Sequence, residues 1–271
     1  LQKISLLKTI FNIGDANAVC DHLLMEIGSN YCCYALLKGS ERTFQQIKFV
    51  TFDELHAEQA VLQVLNELIK ENCGQAIICS AFPQSFLSPR QGHKNDYILM
   101  DVIYDLPSQK FLKDEVAEWQ MNVVYAIPVS IFNLIKEKFR FAEFRHVYSP
   151  AIKVYNGFSA TDQIHIHFTT QNFRVVVKKN KQVQLAQIYT YKTPLDVVYY
   201  LLKICYEFRF EQSEVFVILS GLVEENSAMY SELHSYFTNL HFAQAPAYAL
   251  PENEYPQHYF ASLYNLAACV L

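Results

Sequence analysis

One order of elements occurs twice along this chain, and it restricts the fold more than any single motif does. Strands read at 22–28, 31–38 and 43–51, each bounded by turn residues such as Gly28-Ser29-Asn30 and Lys38-Gly39-Ser40. A helix follows, opened by the capping-box pattern Thr51-Phe52-Asp53-Glu54 and carried by Ala57, Val61, Leu65, Leu68 and Ile69. Gln75 to Phe82 (QAIICSAF) is then a buried strand, and Val129 to Phe139 is a second helix. Strands read again at 163–169, 172–179 and 182–191. The next helix starts at Thr193-Pro194-Leu195-Asp196, where Thr193 suits the cap, Pro194 the first turn and Asp196 the positive end of the dipole. Its expected buried face is Leu195, Val198, Leu201, Leu202, Cys205 and Phe208. The strand Glu214 to Leu219 and the helix Asn226 to Phe237 complete the second copy. The plan is a duplicated β-β-β-α-β-α, an α/β class, with the copies about 140 residues apart.

The duplication divides the 271 residues into a leader over 1–20, a first domain over 21–157 and a second over 158–271. The first copy is the larger, because an insertion of about 83–125 separates its buried strand from its second helix. Within the insertion, Pro83 to Asn95 reads as a loop, and 97–105 and 122–127 read as strands. A strand near 141–147 precedes the short helix Tyr148 to Gly157, which crosses between the halves, and an apolar helix from Pro256 to Leu271 closes the chain.

Glycine is scarce, at 7 residues, and neither a GxGxxG nor a GxxxxGK[ST] loop is present, which removes the P-loop and Rossmann readings. Lys plus Arg number 22 against 27 Asp plus Glu, a net charge of −5, and so the surplus of cations that a nucleic-acid binder needs is missing. The one basic cluster, Lys178-Lys179-Asn180-Lys181, falls at a hairpin and reads as a solvated turn. No apolar run reaches the roughly 18 residues of a membrane span, and the opening residues are too polar for a signal peptide. Seven cysteines without framework spacing suit reduced thiols in a cytoplasm.

The segment Met25-Glu26-Ile27-Gly28-Ser29-Asn30-Tyr31 is a strand, a tight turn and a returning strand. With the duplication, it resembles the actin-like ATPase superfamily (ribonuclease H-like, two-domain), and in particular the pilus-assembly actin-like proteins, whose opening Asp-x-Gly-Ser hairpin faces phosphates. As a whole the chain, over about residues 20–271, is similar to a bacterial family of unknown function placed in that superfamily. The resemblance implies ATP and Mg²⁺ as ligands, with an acidic residue in each hairpin holding the hydrated metal and glycines admitting the phosphates. Glu26, Gly28 and Ser29 stand at the first hairpin, the acid being longer than the usual Asp by one methylene, on the order of 1.5 Å. The second hairpin departs: aligned on the first, His167 takes the place of the acid and Thr169 that of the glycine. A neutral imidazole does not replace a carboxylate in holding Mg²⁺ waters. On the adenosine side the pattern Val217-Ile218-Leu219-Ser220-Gly221-Leu222 keeps one glycine of the usual pair, and Leu222 is expected to be at least partly buried.

The reading that follows is a non-catalytic intracellular scaffold or binding protein with no cofactor, a protein partner and room for a homodimer. The alternative is a divergent ATP-binding or ATP-hydrolysing member using Glu26, Gly28, Ser29 and Gly221. His165 and His167 have metal-ligand spacing on one strand face, but with no third partner they read as a sheet-face pair. Cys32-Cys33 point to opposite faces and read as buried, inert thiols. The aromatic clusters Tyr189-Thr190-Tyr191, Tyr199-Tyr200 and Tyr255 to Tyr264 suit core packing or an interface.

Overall fold

The computed structural model describes residues 6–14, 20–39, 43–68, 74–90, 95–105, 107–154, 162–251 and 253–270. It separates into two compact units, Leu1–Pro150 with Asn265–Leu271, and Ala151–Tyr264.

The first unit is built on strands β1 (Lys8–Gly14), β2 (His22–Ile27), β3 (Tyr31–Lys38), β4 (Thr43–Thr51), β5 (Gln75–Ser80) and, later in the chain, β9 (Glu143–His146). They pair in the order β1-β4-β3-β2-β5-β9. β2 runs antiparallel to β3 and parallel to β5, the mixed pattern that a hairpin followed by a helical crossover requires. Both faces are buried, which is why these strands read as continuous apolar runs. Leu23, Met25, Ile27, Tyr34 and Leu36 pack with Val61, Val64 and Leu65 of helix α1 (Ala57–Leu68). Ile131 and Ile135 of helix α3 (Val129–Lys138) join the same core. Each such aliphatic side chain contributes about 1.5–3 kcal/mol by leaving water.

Three local readings are corrected here. The segment read as leader carries β1, an edge strand held by Phe11, which is buried against Phe49 at 5.5 Å. The Thr51–Glu54 capping box does not form: Asp53 is the capping residue, accepting from Leu55 N at 2.9 Å, and a 3-10 turn precedes α1. Cys20 is disulfide-bonded, so the all-thiol expectation fails at that position.

The insertion is a three-stranded antiparallel sheet, order β6-β8-β7, of β6 (Ser85–Pro89), β7 (Gln109–Val116) and β8 (Met121–Pro128). Helix α2 (Asp96–Tyr104) packs on it through Met100, beside Val124 and Ala126. The expected strand at 97–105 is thus a helix. The run Tyr97-Ile98-Leu99-Met100 is apolar at every position and carries no period, so only tertiary contact chose between the two forms. The expected loop contains β6, and β7 was not anticipated.

The second unit repeats the plan with β10 (Gln163–Phe168), β11 (Asn172–Lys179), β12 (Gln182–Thr190), β13 (Phe216–Gly221) and β14 (Leu240–Phe242), in the order β12-β11-β10-β13-β14. β10 is antiparallel to β11 and parallel to β13, as β2 is to β3 and β5. Helix α5 (Pro194–Phe208) opens on the anticipated cap: Asp196 N donates to Thr193 Oγ1 and Thr193 N donates to Asp196 Oδ2, at 3.3 and 2.8 Å. Its buried residues are Val197, Val198, Leu201, Ile204 and Cys205, whereas Leu195 is 58% exposed. Helix α6 (Ala228–His234) adds Leu233 to the core, and Phe237 follows it. The tyrosines at 189 and 200 stack at 4.3 Å, and Tyr199 stays exposed. The basic turn is only partly solvated: Lys178 is buried, and Lys179 donates to Phe208 O at the end of α5. The crossing helix is α4 (Tyr148–Val154), with the rest of its expected span outside the described residues. The closing helix is a 3-10 turn, Gln257–Phe260, followed by α7 (Ala261–Ala267). No described helix is long and apolar enough to cross a membrane.

Candidate functional site

Ladder register equates the two hairpins residue by residue. The last pairs before each turn are Glu26↔Cys33 and Ile27↔Cys32 in the first unit, His167↔Arg174 and Phe168↔Phe173 in the second. Gly28 N donates to Tyr31 O at 3.0 Å, and Thr169 N donates to Asn172 O at 2.8 Å. Glu26 therefore corresponds to His167, and Gly28 to Thr169.

In the first hairpin Glu26 is buried and accepts a short hydrogen bond from the Tyr31 hydroxyl. The Tyr31 ring stacks flat on Phe49, with centroids 5.2 Å apart, and lies against Gly28. A Cβ built on Gly28 would fall 2.3 Å from Tyr31 Cε1, while the Gly28 φ stays outside the left-handed region. The glycine is thus required by a tyrosine ring and not by backbone conformation. Tyr31 carried no warning in the sequence beyond standing five residues after the acid. Ser29 is partly exposed and opens on a groove of about 450 Å³, walled by Glu54, Leu55, Glu58, Phe82 and Ile131. Among the described residues two carboxylates and no cation line that groove, which repels a phosphate.

In the second hairpin, Thr169 spends its own hydroxyl on the turn, donating to Asn172 O at 2.9 Å. Ser220 Oγ donates to Ile166 O at 3.1 Å and is 3.0 Å from His167 Nδ1, so the ring nitrogen is the donor there and the imidazole carries its proton on Nδ1. Burial, with Arg174 and His258 nearby, holds the His167 pKa well below its usual range and keeps the ring neutral. Arg174, opposite it in the ladder and buried, adds a positive charge where Mg²⁺ ligation needs negative ones. Gly221 belongs to this second unit. Its φ is +76°, and a Cβ would fall 2.0 Å from Phe168 O. Here the backbone itself requires glycine. Leu222 donates its N–H to Phe168 O at 2.9 Å and is half-buried, as expected.

The histidine pair on β10 is divided between different partners, His165 Nε2 meeting Gln163 Oε1 at 2.9 Å and His167 meeting Ser220. Burial beside Lys178 pushes the His165 pKa down to about 3. Cys32 and Cys33 are both buried, and desolvation with Glu26 nearby pushes the Cys32 thiol up, away from reactivity. Among the described residues no group of three His, Cys, Asp or Glu side chains stands close enough to hold a metal ion.

A buried polar centre that the sequence did not disclose lies in the first unit. Asp114 on β7 accepts from His146 N at 2.6 Å, Ser149 Oγ at 2.5 Å and Tyr125 OH at 3.2 Å. Tyr148 N donates to His146 Nδ1, so Nε2 carries the proton and donates to Phe82 O at 3.2 Å. A serine relay needs the imidazole between hydroxyl and carboxylate. Here Ser149 bonds the carboxylate directly, and the centre instead ties the insertion to β9 and α4. Burial raises the Asp114 carboxyl above its usual pKa despite the donors around it.

The same architecture occurs in solved structures. A Bacteroides thetaiotaomicron protein described as having an actin-like ATPase fold and unknown function matches with a TM-score of 0.79 at 13% identity, over 92% of this chain and 95% of that one. The PilM–PilN type IV pilus biogenesis complex contains a chain matching with a TM-score of 0.59 at 11% identity, over 93% of this chain and 99% of that one. No curated protein matches. These likenesses give the fold, an α/β actin-like ATPase architecture with duplicated mixed sheets. The family model described as protein of unknown function (DUF3822) matches residues 15–240, and the chain belongs to that family.

Proposed function

We propose that this protein is a non-catalytic intracellular scaffold or binding protein on an actin-like fold whose nucleotide chemistry has been given up. The observation that carries the reading is the paired state of the two acid positions. Glu26 is buried and engaged by Tyr31, and its counterpart is a neutral His167 beside the Arg174 cation. Hydrated Mg²⁺ between two carboxylates is the electrostatic basis of phosphoryl transfer on this plan, and one of those carboxylates is absent here. Gly28 and Gly221, the residues that would admit phosphates, are each required by their own surroundings. Ser29 opens on an acidic groove. A protein partner fits this reading. A chain that shares the fold was solved within a complex, the PilM–PilN type IV pilus biogenesis complex.

The competing reading is a divergent ATPase using Glu26, Gly28, Ser29 and Gly221. Phosphate release from ATP with Mg²⁺ separates the two. The scaffold reading expects the rate of the protein-free control. Turnover above it that disappears in Glu26→Gln would install the ATPase reading instead.

A further inference from the structure

Helix α2 is the one α-helix among the described residues of the insertion, and the second unit folds the same β-β-β-α-β-α plan without it. Only Asp96 and Met100 of its nine residues are buried, with Tyr104 partly so and donating to Ser85 O at 2.9 Å. The remaining aliphatic side chains face water: Val102 is 74% exposed, Ile98 61%, Ile103 52% and Leu99 41%. Four branched aliphatics on one short helix face form a continuous patch, which a soluble surface does not keep without use.

The helical repeat arranges this patch. Met100 and Tyr104 point to the sheet, so Ile98 and Val102, one turn apart, point straight out. Leu99 and Ile103 border them on one side. Asp101 and Asp105, both exposed, border them on the other. The surface is an aliphatic stripe with one acidic edge. A second copy of this chain fits it poorly. An antiparallel two-fold pair would set each acidic edge against the other, and a parallel pair would set it against Leu99 and Ile103. An anionic lipid surface meets the same two carboxylates and is repelled.

From the stripe and its charge we infer that α2 is a docking face for an amphipathic helix of another protein that has an aliphatic stripe and a lysine- or arginine-bearing edge facing Asp101 and Asp105. The inference names the partner class for the binding role proposed above. It uses no residue of either hairpin, so a nucleotide result leaves it standing and a peptide result leaves the nucleotide reading standing.

The test uses two short helical peptides that share a leucine stripe, one flanked by lysine and the other by glutamate, titrated against the full chain by fluorescence anisotropy. The lysine peptide is expected to bind about tenfold more tightly than the glutamate peptide. Val102→Glu, at an exposed position and therefore expected to keep the wild-type melting temperature, is expected to weaken that binding by about tenfold. Asp101→Lys with Asp105→Lys is expected to reverse the peptide preference. Absence of binding overturns the inference, as does equal affinity for the two peptides or affinity indifferent to Val102→Glu. Concentration-dependent dimerisation abolished by Val102→Glu would also overturn it by assigning the face to a second copy. Binding to vesicles of anionic lipid lost in the same variant would assign it to a membrane.

Discussion

At the last ladder pair but one, the first hairpin presents Glu26 and the second presents His167. Glu26 is tied to Tyr31, a residue of its own returning strand, so the carboxylate is held within the turn it begins. His167 is tied to Ser220 of β13, so the imidazole is held across strands. The glycines differ in kind as well. Gly28 yields to a side chain, the Tyr31 ring, while Gly221 yields to a backbone oxygen, Phe168 O. In one fold duplicated within one chain, equivalent positions thus hold a carboxylate engaged by a tyrosine in one copy and a neutral imidazole in the other. The presence of an acid and a glycine is therefore weak testimony to function until their contacts are known.

The largest expected effect follows from the second glycine. Gly221→Ala places a Cβ on a backbone oxygen at positive φ, where neither side can move, and should cost about 3–4 kcal/mol, measured by urea denaturation. A loss under ~1 kcal/mol would mean that β10 and β13 are less tightly apposed than described. Asp114→Ala should cost about 3 kcal/mol, because three buried donors lose their acceptor. Asp114→Asn, which retains one acceptor oxygen, should cost less. Equal losses in the two variants would show that the carboxylate's hydrogen bonds are not what holds the insertion.

Gly28→Ala should be milder, about 1–2 kcal/mol, since a ring can shift where a backbone cannot. Combined with Tyr31→Leu the alanine should cost little further, and a double-mutant cycle measures that coupling. Strict additivity would break the claim that Gly28 serves the Tyr31 ring.

Counted per residue and per pH unit, the smallest effect is electrostatic, and it sets the units apart. In the second unit His165 has a folded pKa of about 3 against a usual 6.5, and His167 is shifted the same way. Between those values the unfolded chain binds protons that the folded chain does not, so stability rises with pH there and falls on acidification. The slope is at most about 1.4 kcal/mol per pH unit for each such histidine. In the first unit Asp114 acts oppositely: its raised pKa lets the folded state hold a proton just above the usual carboxylate range, favouring the fold as pH drops through that window. Melting temperature should therefore fall between pH 6.5 and 5, and His165→Gln should flatten the fall. A flat wild-type profile would contradict the buried, neutral histidines.

The repeat was legible because its strands are buried on both faces and its second α5 cap is spelled out by Thr193, Pro194 and Asp196. The correspondence of His167 with Glu26 was legible too, since hairpin register follows from turn position. Helix α2 was not, because a run apolar at every position has neither period, and Leu195 was placed inside because a helical face read from spacing alone can be rotated by one residue. The Tyr31 hydroxyl on Glu26 and the donors on Asp114 are contacts between side chains whose residue types carry no pattern. The first is local, and two of the three donors on Asp114 stand more than thirty residues from it. Neither has a spacing that a sequence can display.

The central claim, that the acid and glycine of the first hairpin serve the fold and not a nucleotide, is tested most directly by thermal unfolding with and without millimolar ATP and Mg²⁺. A ligand at 100 times its dissociation constant adds about 2.7 kcal/mol, a shift of a few degrees for a chain of this size. The account predicts no shift in the wild-type protein, nor in a Glu26→Ala variant. A clear upward shift that requires Mg²⁺ and is abolished by Glu26→Ala would contradict it.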